Sequence, residues 1–304
     1  MRRPKTIPAI EPNAGLKAQL QKRIVGLVRA QTALAAAEVL NALIDSGALI
    51  NGANMAQDAG LSQKALERIG KEVRDYKAVH PDAAAGQVDA EVAKRLARWM
   101  ISVGEKAKEV SKWFVRAAAQ NVTASQRRAL VRAGISPRFL REKWRVPVVK
   151  NRFISETAAK QLPQLIDDMT ALITKMQAND LARLRETIAE GLLKGQNIGD
   201  IENTLSAATD FTEARAKRVA LDQSVKINQG IQRANAQELG IDTGIWVHVP
   251  GRYSSRETHI AMDGKRFNLQ EGLYDSDVDK KVVPGELPFC RCVFRLDIQK
   301  LLDK

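Results

Sequence analysis

From Leu16 to Leu239 apolar residues recur at spacings of three and four, and beyond Gly240 that rhythm stops. Such a period buries one stripe of a helix, so it commits most of the chain to helix-on-helix packing. Leu16, Leu20, Ile24, Leu27, Val28, Leu34, Leu40, Leu43 and Ile44 form the first stripe, closed by Gly47. A second helix is expected over 61–80, where Leu66, Ile69 and Val73 share a face before Pro81. A third runs over about 88–122 through Val92, Leu96, Trp99, Val103, Ala107, Val110 and Phe114, with Gly104 as a candidate kink or break. Two short helices follow at 124–133 and 137–144. Gly134 ends the first, and Ser136-Pro137 is a start signal for the second, because proline lacks only an N–H that a helix's first turn leaves unpaired.

Arg145 to Val148 reads as an extended hinge. Helical spacing resumes from Phe153 to Gly191, continues in a short helix at 200–207, and restarts where Asp210 and Glu213 resemble a capping box. The first 15 residues, with Pro4, Pro8, Pro12 and Gly15, read as an extended arm. After Gly240, strands are expected at 245–249 and 292–298. The fold class is therefore mostly α with a small C-terminal α+β module. The expected divisions are a basic helical region 1–150, a helical lead-in 151–240 and the module 241–304.

Charge is divided as sharply as texture. Residues 1–150 carry 27 Lys+Arg against 13 Asp+Glu, and residues 151–304 carry 21 against 22. Its densest stretch holds Arg127, Arg128, Arg132, Arg138, Arg141, Lys143, Arg145 and Lys150 against Glu142 alone. These are candidate DNA contacts, or else a solvated helical face; basic excess supplies affinity for a polyanion without requiring one. Trp144, inside that stretch, suits packing better than base stacking. Trp99, Trp113 and Phe114 sit at core spacings, and His80 reads as a surface histidine.

No apolar run approaches the ~20 residues of a membrane span. The basic start lacks the apolar core of a signal peptide, which points to a chain that stays in the cytoplasm. Two cysteines cannot make a disulfide framework. No phosphate-binding glycine loop is present. These counts argue against membrane partners and secretion.

The module's chemistry is concentrated in two places. Ser254 with Glu257 forms a capping box, so 255–263 is expected as a short helix ended by Gly264. Arg256, His259 and Asp263 would lie along one edge of it, with His259 and Asp263 able to pair. An enzyme built on His259, oriented by Asp263, would lack a nucleophile and a defined pocket, so no catalytic residue is assigned. In Cys290-Arg291-Cys292, residues two apart on an extended chain face the same side. With His259 they make three zinc ligands, and His248 or Asp263 can supply a fourth. The alternative is two small buried side chains that open a strand, with Arg291 pointing away. A disulfide between such near neighbours has poor geometry.

The order Trp246, Arg256-x-x-His259, Met262-Asp263-Gly264, Pro284-Gly285-Glu286, Cys290-Arg291-Cys292 resembles the phage Mu protein F-like family of head morphogenesis proteins. The helix from Ala220 to Gly240 looks like that family's lead-in, and the likeness extends back to about residue 150. The resemblance implies a minor head (minor capsid) protein of a tailed phage or prophage, not an enzyme. It implies partners in the portal protein and capsid or scaffold components, and a place in the virion head near the portal after assembly in the host cytoplasm. Packaged DNA would be met by the basic half, with no small-molecule substrate. Trp246, Arg256, His259, Asp263, Gly264, Pro284, Cys290, Arg291 and Cys292 are its signature positions here. The chain departs from the family at Pro250-Gly251-Arg252-Tyr253, where an Asp-containing turn is common, and at Phe289, where Asn is frequent. The alternative is a sequence-independent DNA-binding protein without a head role.

Overall fold

The computed structural model describes residues 5–45, 85–149, 152–193, 198–250 and 255–303. The expected helix at 61–80, together with Gly47, His80, Lys150 and Ser254, lies outside them. The chain divides into two compact units: residues 1–23, 109–169 and 217–304 make one, and residues 24–108 and 170–216 the other. The fold is mostly helical with small antiparallel sheets, as expected.

Helix α1 (Ala14–Asp45) starts where the Asn13 side chain accepts from Leu16 N at 2.8 Å. Its Leu20, Ile24, Leu27 and Val28 are buried at helical spacing. Helix α2 (Ala85–Arg132) replaces the two helices expected between 88 and 133. It passes through Gly104, where an added Cβ would meet nothing within 4 Å. It passes through Thr123 and Gln126 because both side chains find partners across the core: Asn235 Nδ2 donates to Thr123 Oγ1 at 2.9 Å and to Gln126 Oε1 at 3.1 Å. Stranding such buried groups would cost about 1–3 kcal/mol. Paired, they fasten helix to helix. The helix ends as the sequence indicates, with Gly134 at φ 104° and Ile135 N bonded back to Leu130 O.

Helix α3 (Pro137–Lys143) follows the expected start, with the Ser136 side chain accepting from Arg138 N. The segment read as an extended hinge is half of a hairpin, β2 (Val146–Val149) against β3 (Arg152–Ile154). Helix α4 (Glu156–Leu193) then runs past Gly191. Helix α5 (Ile198–Glu238) absorbs both helices expected at 200–207 and 210–239. Glu213 does not cap a new helix start; it pairs in mid-helix with the Arg29 guanidinium, whose second nitrogen is 2.8 Å away. Gly240, at φ 73°, closes α5 as expected.

The N-terminal arm is not free. Its β1 (Thr6–Ile7) joins a four-stranded antiparallel sheet in the order β1-β8-β4-β5, where β4 is Thr243–Val247, β5 is Arg266–Asn268 and β8 is Val293–Asp297. Ile10 O also accepts from Gln232 Nε2 on α5 at 2.7 Å. The two C-terminal strands lie close to their expected spans. Trp246 on β4 is paired with Phe294 on β8. A hairpin of β6 (Leu273–Asp275) and β7 (Lys280–Val282) completes the module. The sheet's inner face shares one core with Leu130, Leu140 and Trp144 from α2, α3 and the turn after it. Trp144 therefore packs and does not reach solvent.

Candidate functional site

Trp246 is the floor of the site. It is fully buried, with its ring edge-on to Phe267 at 5.7 Å and to His259 at 5.4 Å between centroids. Just beyond its strand the backbone must turn. Gly264, at φ 75°, donates its N–H to Trp246 O while Trp246 N donates to Lys265 O. A β-carbon would strain that left-handed conformation. The turn sets the short helix α6 (Glu257–Ala261) against the strand.

Helix α6 is shorter than the 255–263 expected, and Arg256 stands at its N-cap without a side-chain cap bond. The Arg256 guanidinium reaches across instead, donating to Pro288 O at 3.2 Å and tying the helix to the loop that carries the cysteines. Asp222 on α5 holds that loop from below, accepting from Phe289 N at 2.7 Å. Phe289 itself sits at φ 61° and its ring is exposed. Pro284 and Gly285 are buried, and a β-carbon on Gly285 would come 3.0 Å from Val225 on α5.

These constraints bring together the three predicted ligand residues. Cys290 Sγ lies 3.4 Å from His259 Nδ1, and Cys292 Sγ lies 3.7 Å from the same nitrogen. All three side chains are buried and their ligand atoms fall within 4.8 Å of one another. His248 Nδ1 touches the group from the edge, 3.6 Å from Cys292 Sγ.

The expected His259–Asp263 pair does not form. His259 Nε2 bonds instead to Asp275 Oδ2 at 3.0 Å, both side chains being buried. Asp263 points the other way and accepts from His248 N at 2.8 Å, which fixes the histidine's backbone and takes Asp263 out of the ligand set. Sequence spacing favoured Asp263 because it is four residues along the same helix. Asp275 closes a three-residue strand sixteen positions away, and no periodicity links it to His259.

The electrostatics follow from this packing. Burial opposes charge on His259, but the neighbouring Cys290 and Asp275 hold its pKa above the ordinary value. A hydrogen bond with Cys292 draws the Cys290 thiol down to about 4 against burial, helped by His259. The same contact and burial push Cys292 up. Asp275 stays low despite burial, because Asp277 N and His259 donate to it.

The site opens into a cavity of about 400 Å³, lined by Arg218 from α5, by Arg256 and Arg291, and by the His–Cys cluster. Arg291 is half-buried along this wall. Of the basic stretch, Arg128, Arg132, Arg138, Arg141, Lys143 and Arg145 are exposed, while Arg127 is half-buried. Arg138 pairs with Glu142 at 3.1 Å.

Residues 182–295 match the family described as Phage Mu protein F like protein, a family associated with phage head morphogenesis. The match contains every signature residue from Trp246 to Cys292, and it starts at 182, later than the 150 expected. The chain is 28% identical over 123 residues to an uncharacterized protein of Haemophilus influenzae, covering 40% of this chain and 26% of that protein. The chain thus spans about a quarter of that curated relative. No solved structure matches. Among the described residues, no helix is long and apolar enough to cross a membrane.

Proposed function

We propose, with residues 182–295 as a Mu F-like head morphogenesis segment for premise, that this chain is a minor head component assembled at the portal vertex of a tailed phage or prophage. The match over the segment that builds the His–Cys site is the observation that carries this reading. The module would serve as the docking element toward portal and capsid components. Its surface offers exposed Ile260, Tyr274, Val278 and Phe289, apolar side chains of the kind that anchor protein contacts.

The exposed cations of α2 and α3 would meet packaged DNA inside the head. Their side chains project from rigid helices, and a phosphate backbone needs no more than correctly spaced charge. The role is structural and not catalytic. Both nitrogens of His259 are occupied, one by Asp275 and the other by the two sulfurs, so in this reading the ring serves as a fastener.

Charge reversal of Arg128, Arg132, Arg141 and Lys143 to glutamate tests the DNA contact. Each lost phosphate contact removes about 0.9 from the slope of log affinity against log salt, so the slope should fall by roughly 3–4. Filter binding of duplex DNA across a salt series reads this directly. An unchanged slope and affinity would make the stretch a solvated face.

A further inference from the structure

We propose that Cys290, Cys292, His259 and His248 form a tetrahedral zinc site that staples the C-terminal module. The ligand atoms would be both Sγ atoms and the Nδ1 atoms of the two histidines.

The spacing argues for it first. With Zn–S about 2.3 Å and Zn–N about 2.0–2.1 Å, a tetrahedral site has sulfur-to-nitrogen edges of about 3.5 Å. Three of the four such edges measure 3.4, 3.7 and 3.6 Å; His248 stands outside the 4.8 Å cluster of the other three ligands and would move inward to complete the shell. Two thiols converging on one imidazole nitrogen is a chelating arrangement, since a thiol nucleophile needs only a single sulfur beside its base. Soft sulfur and imidazole donors select zinc over calcium or magnesium, which take oxygen.

The surroundings argue for it independently. Metal-bound histidines generally donate their other ring N–H to a carboxylate, which fixes tautomer and ring orientation. Asp275 occupies that place on His259, buried, at 3.0 Å. Asp263 accepts from the backbone N–H of His248, which fixes that residue's main chain beside the cluster. The indole N–H of Trp246, whose ring packs edge-on to His259, is buried with no oxygen or nitrogen partner.

The topology gives the metal a purpose. The residue after β4, helix α6 and the chain entering β8 belong to short elements; α6 has five residues and β8 five. A zinc ion here would join the three segments at one point.

The test is metal analysis of the full chain, purified without chelator, followed by exchange into cobalt. The expected result is about one zinc per chain, a fall in melting temperature on chelation, and cobalt spectra with thiolate charge-transfer and intense tetrahedral d–d bands. His248→Ala should keep the thiolate bands and weaken zinc affinity tenfold or more; unchanged affinity would remove His248 from the site. Cys290→Ser and Cys292→Ser should each cut the charge-transfer intensity to about half wherever metal is still bound, and only the double substitution should abolish it. Should either variant fail to fold, the wild-type cobalt spectrum decides. Absence of retained zinc together with absent thiolate–cobalt bands overturns the proposal. So does fast alkylation of one thiol in the metal-supplemented protein, which would identify a reactive cysteine paired with His259.

Discussion

Replacing Trp246 with alanine is expected to cost about 3–5 kcal/mol, the usual range for truncating a fully buried tryptophan. The side chain has no exposed surface. Its ring carries His259 on one edge and Phe267 on another, and Phe267 stacks edge-on to Phe294 in turn, 6.0 Å between centroids. Removal would leave a cavity under the His–Cys cluster that the paired strands β4 and β8 cannot close without losing register. The measurement is amide exchange of β4 and β8 with and without the substitution, because a chain of two units need not unfold in one step. Exchange in those strands should approach that of frayed segments. A loss under about 1 kcal/mol would mean that the core turns on other residues.

Asp275→Ala carries the second large effect. The carboxylate is buried, bonded to His259 on one oxygen and to Asp277 N at 3.0 Å on the other. Deleting one member of a buried pair strands its partner, a loss of roughly 3–5 kcal/mol. Asp275→Asn keeps an acceptor of the same shape and should recover part of that loss. The ring of His259 would otherwise be free to turn about its side-chain bonds. Amide exchange of β4, β6 and β8 in both variants tests the ranking. Equal, small losses for Ala and Asn would show that His259 is held by its other contacts.

What the sequence disclosed depended on how local the cause was. The boundary at Gly240, the Ser136-Pro137 helix start and the alternating strand around Phe294 are set by neighbours within a few residues, and all three stand in the structure. Cys290 and Cys292 were readable as a pair because a two-residue spacing along an extended chain places both on one side. The continuity of α2 and α5 was not readable. Thr123 and Asp210-x-x-Glu213 look like helix boundaries only until their partners, Asn235 and Arg29, are known. Those partners lie over a hundred residues away. The arm's entry into the sheet is likewise a long-range matter, since Thr6 meets Asp297. Asp275 is invisible to spacing for the same reason, since spacing alone favours Asp263.

These two kinds of constraint bear differently on function. The signature residues from Trp246 to Cys292 build one coherent site, and the matched family segment contains all of them. The cations of the first half are a surface property, which charge alone cannot turn into a contact. A head component must stay with the particle whether or not DNA is accessible.

The most direct measurement is therefore gradient sedimentation of heads from an induced producing strain, with and without nuclease, followed by detection of this chain and of the portal protein. The account predicts that the chain migrates with nuclease-treated heads and is recovered in cross-links with the portal. A chain that stays at the top of the gradient, or that sediments only with nuclease-sensitive DNA, would contradict it.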